Sequence, residues 1–81
     1  MSDVTDRVKK VVAETLKVDL SRVTDDARFV EDLGASSMES VELVAAFEEE
    51  FDIEMDEDEA IAVKTVGHAV EFIKKCIAEQ K

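Results

Sequence analysis

Val4, Val8, Val11, Val12 and Leu16 recur at the spacing of one helical face, with Asp6, Arg7, Lys9, Lys10 and Glu14 elsewhere around it. The spacing predicts a helix over residues 3 to 16, capped by Ser2 or Asp3. From 17 to 36 that period is lost. Val18, Leu20, Val23, Phe29, Val30 and Leu33 are apolar but interrupted by Asp19, Ser21, Asp25, Asp26 and Asp32. A loop this long is uncommon in a compact domain and tends to be functional. Its six apolar side chains predict that it lies on the core, with a short helical turn at Leu20 to Val23.

Helical periodicity returns at Met38. At about 100° per residue, Val41, Val44, Ala45, Phe47 and Phe51 gather on one side of a helix starting at Ser37 or Met38, and Glu39, Glu42, Glu49 and Glu50 on the other. Glu48 is the misfit. It projects near the apolar centre, so either it sits at a rim or the buried face is rotated. Asp56 with Glu59 three residues later resembles a capping box ahead of Ala60, Ile61 and Val63, predicting a short helix over about 57 to 62. Thr65 can cap a last helix whose face is Val66, Ala69, Val70, Ile73 and Ile77, flanked by Phe72 and Cys76. Lys74 and Lys75 lie near its C-terminal end, where cations suit the helix dipole. Strand alternation and proline are absent. The expected fold is all-α: a small antiparallel helical bundle of three main helices plus one short helix, with a long first loop, making one domain over 1–81.

Charge changes the picture more than any other feature of composition. Twenty-one Asp and Glu against ten Lys and Arg leave a formal net charge of −11. A phosphate backbone would repel such a chain, which argues against nucleic acid and for basic partners met by electrostatic steering. Hydrophobic residues at 46% exclude a disordered acidic tail. The one cysteine, Cys76, has no partner for a disulfide, and His68 has none for a metal site. His68 is expected on the surface and Cys76 buried or half-buried, so neither supports nucleophilic catalysis. The acidic run near Asp56 is no EF-hand loop either: from Asp56 the sixth position is Ile61 and the twelfth Gly67. Loose binding of divalent cations to its carboxylates remains reasonable. With no apolar leader segment and no stretch near the about 18 residues of a membrane span, the expectation is a cytoplasmic monomer.

The stretch Glu31 to Ser40 concentrates the candidate chemistry. It sets Gly34 and the adjacent hydroxyls of Ser36 and Ser37 at the start of the second main helix. Serine is a preferred helix cap, which is one sufficient reason for it to be there. A phosphate ester at the same place would face unpaired backbone N–H groups and the positive end of the dipole. Gly34 can take positive φ and leaves room for an approaching enzyme.

FVEDLGASSMESVELVAAFEEEFDIEM resembles the signature of an acyl carrier protein, and the resemblance extends over nearly the whole chain, from RVKKVVAETLKVDLSRVTDDARFVEDLGA to TVGHAVEFIKK. That family presents Asp-Ser-Leu after Leu-Gly-Ala or Leu-Gly-Xaa, and its serine carries a phosphopantetheine arm derived from coenzyme A. Aligned on Asp32, Leu33, Gly34 and Ala35, the family serine falls on Ser37, its leucine on Met38 and its aspartate on Ser36. The ungapped spacing to Leu33–Gly34 and to Val41–Leu43 assigns the arm to Ser37. Ser36 removes a carboxylate from the surface that synthases and the arm-attaching transferase usually read. Met55–Asp56 replaces an apolar residue followed by proline and is expected to loosen the approach to the third helix.

The resemblance implies a carrier, not an enzyme. It would hold acyl groups as thioesters and deliver them between enzymes of fatty acid or related lipid and polyketide biosynthesis. Its partners would be a phosphopantetheinyl transferase and acyl-processing enzymes with basic docking patches. The docking residues implied are Ser36, Met38, Glu39, Glu42 and Glu49. The acyl chain can withdraw between helices in that family, and alanines 45, 46, 60, 62 and 69 would make room if they face inward. Two alternatives stand beside this reading: an unmodified carrier-like interaction module, and a peptidyl or aryl carrier of a nonribosomal assembly line.

Overall fold

The structure, a computed structural model, describes residues 3–79. The first helix, α1, spans Val4–Leu16. The Asp3 carboxylate caps it by accepting the Asp6 N–H at 2.9 Å, and Ser2 lies outside the described residues. It ends where Lys17 turns left-handed at φ 57° and donates its N–H to the Ala13 carbonyl. Val8, Val11, Val12 and Leu16 are buried, as their spacing requires.

A single 3₁₀ turn, Leu20–Arg22, interrupts the loop where the sequence predicts one. Beyond it the chain lies on the core through Val23, Ala27, Phe29, Leu33 and Ala35. The expectation that all six large apolar residues do so is corrected: Val18 is half-buried, and Leu20 and Val30 are 54% and 60% exposed. The backbone gives the reason. Phe29 N–H donates to the Lys64 carbonyl at 3.0 Å, and Val66 N–H to the Ala27 carbonyl at 3.0 Å. This isolated antiparallel bridge between Arg28 and Thr65 imposes strand-like alternation, so Ala27 and Phe29 point inward and Arg28 and Val30 outward. Next to it, Gly67 N–H donates to the Asp25 carbonyl at 2.7 Å. A Cβ on Gly67 would stand 2.9 Å from that oxygen, so the seam requires glycine.

The second helix, α2, spans Ser37–Phe51 and buries Leu43 and Phe47, with Val44, Ala46 and Phe51 half-buried. The predicted face was rotated from this by roughly one residue, about 100°. Val41 and Ala45, expected inside, are exposed, and Leu43, assigned to neither face, is at the centre. Glu48 therefore sits at a rim, where its carboxylate accepts the Met55 N–H at 2.9 Å. Glu50 is exposed and reaches sideways to α1. It takes the Arg7 Nε at 3.0 Å, its carbonyl takes Arg7 Nη2 at 2.8 Å, and the guanidinium lies 4.5 Å from the Phe51 ring centre. That contact ties the C-terminal end of α2 to α1.

A short α3, Glu57–Ile61, is capped by Asp56, which accepts the N–H groups of Asp58 and Glu59. No return bond from Glu59 completes a box. At the approach to α3, Glu48 accepts the Met55 N–H and Asp56 supplies the cap. The last helix, α4, is Val66–Glu79, with the Thr65 hydroxyl accepting His68 N–H at 3.2 Å. It buries Val66, Ala69, Val70, Ile73 and Cys76. Lys74 and Lys75 lie a turn short of its last one. The four helices and the loop share one apolar cluster, with α1 packed closely against both α2 and α4. The protein is a small helical bundle, and no strand forms among the described residues.

Candidate functional site

The site begins with the turn that delivers the chain to α2. Asp32 accepts the Arg28 N–H on Oδ2 at 2.8 Å, and Asp32 N–H returns to the Arg28 carbonyl at 2.9 Å. The bond from the Arg28 N–H holds the Asp32 carboxyl below its ordinary 3.8, against a smaller opposing effect of desolvation. Gly34 follows at φ 72° with open space around it, so its positive φ, and not crowding, is what favours glycine there. Ala35 N–H then closes onto the Phe29 carbonyl at 2.8 Å. Ala35 is buried and Ser36 emerges at the surface.

Ser36 and Ser37 have different occupations. Ser36 is the N-cap of α2: its Oγ accepts Glu39 N–H at 3.2 Å, and Glu39 Oε1 accepts Ser36 N–H at 3.0 Å. The capping box suggested by the sequence around Asp56 forms in full here instead. Ser37 is the first helical residue, exposed, and its hydroxyl makes no hydrogen bond among the described residues. The N–H groups of Ser37 and Met38 also find no partner there, which leaves them at the positive end of the helix dipole. A phosphate ester on Ser37 fits this environment: the oxygen is free, the surface is open, and the nearest backbone donors are unspent.

Met38 is 76% exposed, and Glu42 and Glu49 point to solvent. Glu39 is half-buried, since its carboxylate turns back into the box. The sequence reading missed two apolar members of this surface, Val41 and Ile61, exposed by 60% and 65%. Glu48 was the available signal for Val41: a buried face centred on Leu43 explains both. Beside Ser37 a cleft of about 720 Å³ runs between α2, α3 and α4, walled by Phe29, Leu43, Phe47, Ala60, Ala69 and Phe72. Ala60 and Ala69 do face inward, Ala46 is half-buried, and Ala45 and Ala62 are exposed.

Elsewhere the described residues hold little chemistry. No group of acidic, His or Cys side chains among them could hold a metal ion. His68 is exposed in the first turn of α4. Cys76 is buried, and burial, followed by the Glu79 and Glu59 carboxylates, pushes its thiol up. No helix among them is long and apolar enough to cross a membrane.

A family model described as the phosphopantetheine attachment site matches residues 6–73. Domains of this kind are the place of covalent phosphopantetheine attachment, and they carry acyl groups for processing enzymes without being catalysts themselves. With a helical bundle, a free serine hydroxyl at the head of α2 and a match over most of its length, this chain belongs to the phosphopantetheine-attachment family and is a carrier protein consistent with the acyl carrier type.

Proposed function

We propose that Ser37 bears the arm and that the chain carries acyl thioesters between enzymes of fatty acid or related lipid and polyketide biosynthesis. The observation that carries the reading is the contrast between the two hydroxyls: Ser36 Oγ is held by the Glu39 N–H, and Ser37 Oγ is unbonded and exposed. In loading, the Ser37 oxygen forms a bond to the phosphorus that bears the pantetheine of coenzyme A. The bond from that phosphorus to the bridging pyrophosphate oxygen breaks. The adenosine bisphosphate half leaves with the electron pair, and the hydroxyl proton passes to a base of the transferase.

The mainly apolar cleft beside Ser37 supports an aliphatic cargo, since its volume lies within the about 300–1,000 Å³ of small-ligand sites and most of its wall is hydrocarbon. Met38, Val41 and Ile61 with Glu42 and Glu49 form the docking surface, and Ser36 and the Glu39 charge lie at its edge. Its apolar centre and acidic margin suit brief association with partners that present Lys and Arg around an apolar socket. The free thiol and the charge of −11 support a monomer in a reducing cytoplasm.

Intact mass after incubation with coenzyme A and a broad-specificity phosphopantetheinyl transferase tests the site. One phosphopantetheine should be gained by wild type and Ser36→Ala and by no Ser37→Ala molecule. Loss in Ser36→Ala alone would move the arm to Ser36, and no gain in wild type beside a loaded control carrier would favour the unmodified module. Hydrogen exchange on the loaded protein tests the cargo: a straight-chain acyl group should protect amides of α2 and α3 that an aminoacyl group leaves unchanged.

A further inference from the structure

We propose that Glu39 is a positioning residue for loading of the arm, acting through Ser36 rather than through a partner's cations. The inference rests on the reading that Ser37 is the attachment residue. Ser36 is held from two directions, through its N–H and hydroxyl and through the carbonyl it shares with the peptide to Ser37. On one side the Glu39 carboxylate takes Ser36 N–H at 3.0 Å while Glu39 N–H binds Ser36 Oγ at 3.2 Å. On the other, the Ser36 carbonyl accepts Ser40 N–H at 2.9 Å and Ser40 Oγ at 3.1 Å. Ser37 lies within the loop that this box closes, so its Cα is fixed while its own hydroxyl remains free to turn.

A nucleophile anchored at its root and free at its tip can be aligned for in-line attack without first ordering the chain that bears it. Glu39 also differs from the acidic residues that follow it: it is half-buried and internally bonded, whereas Glu42 and Glu49 are exposed. Its chemistry is that of an acceptor for one N–H. The consequence is a division of labour along α2, in which Glu39 sets the rate of the phosphoryl transfer and Glu42 and Glu49 set the affinity of docking.

The test separates acceptor from charge. Initial loading rates with coenzyme A and the transferase are measured by intact mass over a range of carrier concentrations for wild type, Glu39→Ala, Glu39→Gln and Glu42→Gln. Glutamine keeps a carbonyl oxygen for Ser36 N–H and discards the charge. Glu39→Ala should lower kcat about tenfold, Glu39→Gln should recover it to within about threefold, and Glu42→Gln should raise KM alone. Equal loss of kcat in the Ala and Gln variants, or full kcat in the Ala variant, overturns the proposal. Amide exchange at Ser36 in the unloaded protein supplies a readout independent of the transferase. Exchange should quicken in Glu39→Ala and stay slow in Glu39→Gln, with helical circular dichroism retained in both; an unchanged rate in Glu39→Ala defeats the idea. Wild type that gains no mass brings down the attachment reading and this inference with it, whereas a loaded wild type insensitive to Glu39 brings down this inference alone.

Discussion

Val12 and Val41 are the same residue on two neighbouring helices. Val12 in α1 has no exposed surface, and Val41 in α2 is 60% exposed. The contrast extends along both elements. In α1 the core takes every valine and leucine of one stripe, apart from a half-buried Val4 at its start. In α2 it takes Leu43 and Phe47 and leaves Met38, Val41 and Ala45 outside, at i, i+3 and i+7 along one line flanked by Glu42 and Glu49 on one side. Hydrophobic residues on α2 thus serve two surfaces. One of them is exposed to solvent, and it begins beside Ser37.

Truncations on each face sharpen this comparison. Phe47→Ala should have the largest effect on folding, a loss of about 3–5 kcal/mol in urea unfolding, because it opens a void at the contact of α2 with the core. Val12→Ala should cost about 2 kcal/mol. The same change at Val41 should stay within about 0.5 kcal/mol in stability. Its effect should appear in docking instead, as a several-fold rise in the KM of loading. Equal stability losses at the two valines would break the comparison, and an unaltered KM in Val41→Ala would remove the outward face from the docking surface.

A fourth change concerns the seam between the long loop and the start of α4. Gly67→Ala drives a Cβ to 2.9 Å from the Asp25 carbonyl, and should cost about 1–3 kcal/mol while leaving α1 helical. Thermal unfolding at the same or higher temperature than wild type would mean that the loop is not pinned there.

The smallest effect is expected from acid. The Asp32 carboxyl is depressed, so its contribution is present above the ordinary 3.8 and is lost as pH falls through its lower folded value. Asp32 is exposed, and the expected result is local: the Arg28 amide signal should move below pH 3.8 in wild type and not in Asp32→Asn. Movement centred above 3.8 would contradict the Arg28 bond as the cause.

The sequence by itself determined the helices and their approximate ends, because caps and apolar spacing are local. Asp3, Asp56 and Thr65 each cap where expected, and the α1 and α4 faces follow from their valines and isoleucines. The motif around Gly34 and Ser37 was equally legible, since a positive-φ glycine and a serine at a helix start need only neighbours in the chain. Tertiary structure decided what several elements share. Which side of α2 is buried depended on where the loop and α1 present their apolar groups, because α2 has apolar residues on both sides and periodicity cannot rank them. Likewise, Val30 turned outward because a backbone bridge to Thr65 set the alternation of residues 27–30. Glu39 turned inward because a free Ser36 N–H lay within reach of its carboxylate. Composition names the groups that can bond, and only the folded chain brings a donor within 3.0 Å of one acceptor rather than another.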